Sequence, residues 1–156
     1  MTHEDYMLCA FDEAFTGMKN NQGGPFGAII VCDGIVIGKG FNRVISTNDP
    51  TAHAEIVAIR NACKEVNAFH LPNSVLYTNC EPCPMCMAAI YWANIKTVYY
   101  CSDRDDAAGI GFNDKFIYAE LSTPVNKRMM KMERICLPIA TELFNEWRKK
   151  TDKTPY

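Results

Sequence analysis

The sequence lacks a basic surplus. Sixteen lysines and arginines stand against eighteen aspartates and glutamates in 156 residues, a formal net charge of −2. Nucleic-acid binders usually carry an excess of cations over the domain or along one face, so no nucleic-acid partner is expected. No apolar run approaches the length that spans a bilayer, and no membrane partner is expected either. Met1-Thr2-His3-Glu4-Asp5 has neither the basic stretch nor the apolar run of a secretory signal. The eight cysteines are therefore expected to stay reduced, in the cytoplasm, rather than to form a disulfide framework. Repeats, low-complexity tracts and linker-like stretches are missing as well, which leaves one domain over residues 1–156. With 48% apolar and 22% charged residues, that domain is long enough to bury a substantial core.

What is present reads as alternating helices and strands. Met7, Leu8, Phe11, Phe15 and Met18 recur at helical spacing behind Thr2 as a cap, and Gly23-Gly24-Pro25 ends that helix. Phe26 to Val31 and Ile35 to Asn42 read as strands joined by a tight Asp33-Gly34 turn. A polar loop, Ser46 to Asp49, leads to a second helix for which Asp49 is the expected N-cap and Pro50 the first position. Val75 to Thr78 and Thr97 to Cys101 read as strands flanking a helix that starts at Pro82 and Pro84 and runs through Trp92. That strand–helix–strand unit favours a parallel pairing within an α/β layered fold. Beyond it come an acidic loop with about one helical turn (103–113), a short helix (114–121), an extended segment (129–136) and a final helix (138–149). In the final helix Ile139, Leu143, Phe144 and Trp147 share roughly one face. The Met129-Met130-Lys131-Met132 run reads as the packing face of a strand.

The chemistry gathers in His53-Ala54-Glu55 and Pro82-Cys83-Pro84-Met85-Cys86. Cys83 and Cys86 lie three apart at a helix start, so both sulfurs project to one side. Two thiolates and one imidazole are a standard way to hold one zinc ion while leaving its fourth position open for water. His53 is the expected third ligand and Glu55 the expected proton carrier beside that water. Two residues apart in a regular helix point to nearly opposite sides, so both reach one site only if they sit at a helix end. Alone, each piece is weak: an H-x-E triplet is common, and a C-x-x-C pair also serves redox chemistry or half of a structural zinc knuckle. Cys80 is the candidate fourth ligand of such a closed site. Together, H-x-E followed by P-C-x-x-C is the signature of zinc-dependent deaminases.

On these residues the chain resembles the cytidine-deaminase-like superfamily and, within it, the small bacterial guanine deaminases. The resemblance is densest at Gly23-Gly24-Pro25-Phe26-Gly27-Ala28, at Asn48 to Glu55 and at Cys80 to Cys86. Those stretches are shared with cytosine and tRNA adenosine deaminases. More particular to the guanine enzymes are Ala89-Ile90-Tyr91-Trp92-Ala93, Asp106-Ala107-Ala108, Gly111-Phe112-Asn113-Asp114 and a C-terminal tyrosine. The resemblance implies a three-layer α/β/α fold with a central mixed sheet, a homodimer, and hydrolysis of a small purine base, guanine, to xanthine and ammonia. It also implies His53, Cys83 and Cys86 as zinc ligands and Glu55 as general acid and base. Asp114 would be a second carboxylate near the amino group, Asn42 a hydrogen-bonding partner of the base, and Phe26 and Trp92 aromatic contacts. Tyr156 would close the site of a neighbouring subunit, through a segment 138–156 exchanged between copies.

The same residues have plainer readings. An asparagine at a strand end is usually turn chemistry, an aspartate before a helix usually a cap, a large aromatic usually core, and a last residue usually inconsequential. His3 and His70 read as ordinary surface residues. Cys9, Cys32, Cys63, Cys101 and Cys136 read as small buried apolar groups. Three other functions share the motifs: a tRNA adenosine deaminase, a deaminase of cytosine or a related free base, and a structural zinc module without catalysis.

Overall fold

The computed structural model describes residues 1–156, which divide into two compact units, Met1–Tyr118 and Ala119–Tyr156. The first is built on a four-stranded mixed sheet in the order β2-β1-β3-β4. Its strands are β1 (Gly27–Cys32), β2 (Ile35–Phe41), β3 (Ser74–Cys80) and β4 (Thr97–Ser102). β1 runs antiparallel to β2 and to β3, whereas β3 and β4 are parallel. The parallel pair needs a crossover, which α4 (Pro84–Trp92) supplies. Asp33 and Gly34, with φ of 48° and 78°, make the tight turn between β1 and β2.

β1 is buried on both faces, so helices must cover both. On one side α1 (His3–Lys19) lays Tyr6 and Ala10 against Ile29, Val31 and Tyr77. Its start is fixed by a reciprocal cap, Thr2 Oγ1 accepting from the Asp5 amide at 3.2 Å and Asp5 accepting from the Thr2 amide at 2.7 Å. On the other side α3 (Ala54–Glu65) and α4 pack Ala54, Ala58, Ala62 and Ile90 onto Ala28, Ile30 and Leu76. The three alanines recur every fourth residue and let α3 lie unusually close to β2. At Gly40 a Cβ would run into the Ala54 carbonyl, the Ala58 amide and the Val57 side chain. This close contact fixes where α3 begins, and His53 and Glu55 sit at that beginning.

The sequence-predicted start of that helix is wrong by several residues. Asp49 caps no helix: its Oδ1 accepts from the Thr51 amide at 2.8 Å and from the Thr51 hydroxyl at 2.6 Å, a local turn. The polar stretch before it contains a one-turn helix, α2 (Val44–Thr47), that the reading of Ser46 to Asp49 as loop did not foresee. The acidic loop holds α5 (Arg104–Gly109), closed by a capping box on Asp103. α6 (Lys115–Ser122) follows.

The second unit comprises the end of α6, a 3-10 turn at Val125–Lys127 and α7 (Pro138–Lys149). Within it Arg128 donates to the Thr123 carbonyl at 2.9 Å and to the Leu121 carbonyl at 3.1 Å. The methionine run forms no strand: no neighbouring strand pairs with it, and Met129, Met130 and Met132 are exposed. Ile139, Leu143, Phe144 and Trp147 on α7 are exposed too. All eight cysteines are free thiols, but Cys101 and Cys136 are exposed and Cys9, Cys32 and Cys63 only half-buried, against the expectation of burial. His3 is more than a surface residue, its Nδ1 lying 2.7 Å from the Tyr77 hydroxyl. No helix is long and apolar enough to cross a membrane.

Candidate metal centre and its pocket

His53 is the N-cap of α3 and Cys83 the N-cap of α4, both with extended backbone (ψ of 158° and 168°). That placement resolves the spacing problem of the H-x-E triplet. A cap residue lies outside the helical repeat, so His53 turns toward α4 while Glu55, in the first turn, points into the same space. Cys86, one turn into α4, completes the set. His53 Nδ1 lies 3.5 Å from Cys83 Sγ and 3.6 Å from Cys86 Sγ, and the three ligand atoms fall within 4.8 Å of one another. Glu55 Oε2 sits 3.4 Å from Cys86 Sγ, its side chain only 6% exposed.

Charge distribution fits a cation. The Cys83 thiol is brought down to about 4 by hydrogen bonds from Cys86 and His53, against the cost of burial. Cys86 goes the other way, its proton held by the bond to Cys83 and by burial. The Cys83 sulfur raises His53, and burial raises Glu55. One half-buried thiolate with protons parked around it is a site that releases protons when a metal enters. Two helix N-termini add partial positive charge that favours thiolate. His53, Cys83 and Cys86 thus form a candidate zinc site of two sulfurs and one nitrogen. Cys80 is not a fourth ligand: its Sγ contacts the Asp103 carbonyl at 3.6 Å, and burial raises its thiol to about 11.

The cluster opens onto a cavity of about 580 Å³, within the range of small-molecule sites, lined by Phe26, Asn42, Glu55, Phe112 and Asp114 among others. Asn42, 4% exposed, is more than a turn residue. Its Oδ1 accepts from the Val44 amide at 3.1 Å, which fixes the side chain and leaves Nδ2 as a donor toward the cavity. Gly23 makes room for it, since a Cβ there would overlap Asn42 Oδ1. Phe26 meets Phe112 edge to face at 4.8 Å. The helix-capping oxygen ahead of α6 belongs to Asn113, which accepts from the Lys115 amide at 3.0 Å. Asp114 lines the cavity, its carboxyl raised by burial and by the Cys83 sulfur.

The structure therefore brings His53, Cys83, Glu55, Asn42, Phe26 and Asp114 around one cavity, with Cys86 fully buried behind His53 and Glu55. Trp92 is not brought there: it ends α4 at 69% exposure. Tyr156 lies in the second unit, 78% exposed. Four residues that sequence reasoning did not single out also belong to the site. Phe112 forms the second aromatic wall. Asn79 accepts from the Gly27 amide at 2.8 Å and donates to the Pro25 carbonyl at 3.0 Å, clasping the backbone on both sides of Phe26. Glu81 and Arg104 line the cavity as an ion pair. Glu81 and Phe112 lie inside recognisable motifs, a signal that could have flagged them; Asn79 and Arg104 carry none.

Residues 1–102 match the family model described as the cytidine and deoxycytidylate deaminase zinc-binding region. The chain is 46% identical to the guanine deaminase of Bacillus subtilis (strain 168) over all 156 residues, the whole of both proteins. The crystal structure of Bacillus subtilis guanine deaminase superposes with a TM-score of 0.97, covering 100% of this chain and 99% of that one. A tRNA-specific adenosine deaminase of Aquifex aeolicus is 34% identical over 96% of each chain. The structure of a guanine deaminase from Nitrosomonas europaea, 28% identical, superposes with a TM-score of 0.69 over 73% of this chain and 66% of that one.

Proposed function

Since the chain belongs to the zinc-binding cytidine and deoxycytidylate deaminase family, we propose that it hydrolyses guanine to xanthine and ammonia. The observation that carries this reading is the buried Glu55 carboxyl beside the His53–Cys83–Cys86 cluster, at a cavity with one fixed amide and aromatic walls. Zinc in such a site lowers the pKa of water to roughly 7 and so supplies the nucleophile at neutral pH.

The chain's own residues do the rest. Phe26 and Phe112 offer adjoining aromatic surface to a planar base, and Asn42 Nδ2 donates to an acceptor on its edge. Glu55 takes a proton from the water whose oxygen bonds to C2 and passes it to ring nitrogen N3. The proton left on the oxygen at C2 then moves through Glu55 to the amino nitrogen as the C2–N bond breaks, the oxygen becomes the C2 carbonyl, and ammonia leaves. Asp114 holds that amino group and shares in its protonation, at a carboxyl raised chiefly by burial. Tyr156 closes the cavity of a second copy, in a homodimer that exchanges segment 138–156. Free thiols throughout suit a reducing cytoplasm.

The 34% identity to a tRNA-specific adenosine deaminase supports a second reading, adenosine in RNA. Against it, the one guanidinium lining the cavity is already bonded to Glu81. A phosphate inside the cavity would find no unpaired guanidinium. The test is ammonia release from guanine, adenine, cytosine, their nucleosides and an adenosine-bearing RNA hairpin. Guanine is expected to react. Reaction of the hairpin alone overturns the assignment.

A further inference from the structure

Arg104 opens α5, far along the chain from the zinc ligands, yet it is bound to the segment that carries one. Its Nε donates to Glu81 Oε2 at 3.2 Å, its Nη2 to Glu81 Oε1, and its backbone amide to Glu81 Oε2 at 3.2 Å. The guanidinium carbon lies 4.1 Å from the centre of the Tyr118 ring, a stacked arrangement. Tyr118 in turn donates its hydroxyl to the Pro82 carbonyl at 3.1 Å. Glu81 and Pro82 are the two residues before Cys83. Arg104 and Tyr118 therefore fasten both ends of one stretch of chain to the run leading into a zinc ligand, and Asp114 lies on that stretch. The Asp114 carbonyl is itself fixed, accepting from Ile117 at 2.9 Å and Tyr118 at 3.4 Å.

We propose that Arg104 is a positioning residue that sets Asp114 against the metal centre, acting through Glu81 and Tyr118. This rests on the role given to Asp114 above. The pair is a poor stabiliser of the whole fold, because Arg104 is 38% exposed and such ion pairs contribute little. Its geometry is more telling than its energy. A planar fork bonded on one edge and stacked on one face fixes position in a way that lysine cannot.

The experiment uses zinc-loaded full-length protein and the variants R104Q, R104K, D114N and R104Q/D114N. Hydrogen exchange reads the brace without turnover: amides between Ile110 and Tyr118 should exchange at least about tenfold faster in R104Q, with β1 and β3 unchanged. In the base assay R104Q should lose about ten- to a hundredfold in kcat at full zinc content, the scale of a small misplacement. R104K, which keeps the charge and serves if R104Q does not fold, should fall between. If Arg104 works through Asp114, R104Q costs nothing further in the D114N background. Losses that multiply in the double variant, or unchanged exchange in R104Q, overturn the proposal. A wild-type protein inert on guanine overturns the substrate assignment alone, and the base that does react is then used for the kinetics.

Discussion

At the scale of single residues, the centre works because neighbouring groups of one kind are held in different states. Cys83 and Cys86 are both cysteines of one short motif, yet only Cys83 is poised as a thiolate before metal arrives. The thiolate is the form that alkylating agents attack. In metal-free protein, iodoacetamide should therefore modify Cys83 readily between pH 8 and 5, with reactivity falling only as the pH approaches about 4. The sign follows from the lowered pKa: the anion persists on the acid side until the pH crosses that value. Buried Cys86 should stay protected, and zinc should protect Cys83 as well. Peptide mass spectrometry reads both. Equal labelling of Cys83 and Cys86 would show that the proton is not parked as described.

At the scale of elements, the site depends on where α3 and α4 begin and on how one loop is tied to β3. The Asn79 clasp holds the Pro25–Gly27 backbone, so Asn79→Ala should raise KM for the base severalfold and leave zinc content unchanged. Steady-state kinetics with metal analysis checks this; an unchanged KM would make the clasp irrelevant to binding. Most elements were legible in the sequence. The Thr2 cap, the Asp33-Gly34 turn and the Pro138 helix start each carry a local signal, and each is found where that signal put it. The start of α3 was not, because Asp49-Pro50 mimics a helix start while serving a turn with Thr51. What sets the true start is the seat of Ala54 and Ala58 on Gly40, a tertiary contact that no local pattern contains. The clustering of His53, Cys83, Cys86 and Glu55 was readable because the spacing of the two motifs carries it. Asn79 and Arg104 were not, since each matters only through partners distant in sequence: Pro25, Gly27, Glu81 and Tyr118.

At the scale of the whole molecule, α7 leaves Ile139, Leu143, Phe144 and Trp147 exposed on a single chain. Apolar surface of that kind marks an association site, and the proposed exchange of segment 138–156 gives it a use. Sedimentation should find a particle of twice the chain mass. If Tyr156 acts in the partner's cavity, a chain lacking Tyr156 and a Glu55→Gln chain, each inactive alone, should recover activity when refolded together. The mixed dimer would contain one cavity with both groups intact. No recovery, with mixed dimers verified by mass, would place Tyr156 outside the reaction.

The central claim is that Glu55, beside a zinc ion held by His53, Cys83 and Cys86, carries the proton in hydrolysis of a guanine amino group. The most direct test measures zinc per chain and ammonia released from guanine for wild-type protein and Glu55→Gln. One zinc per chain is expected in both, with turnover in the variant down by at least about a hundredfold, the usual weight of a general acid–base group. A Glu55→Gln protein that keeps its zinc and releases ammonia at the wild-type rate would contradict the account.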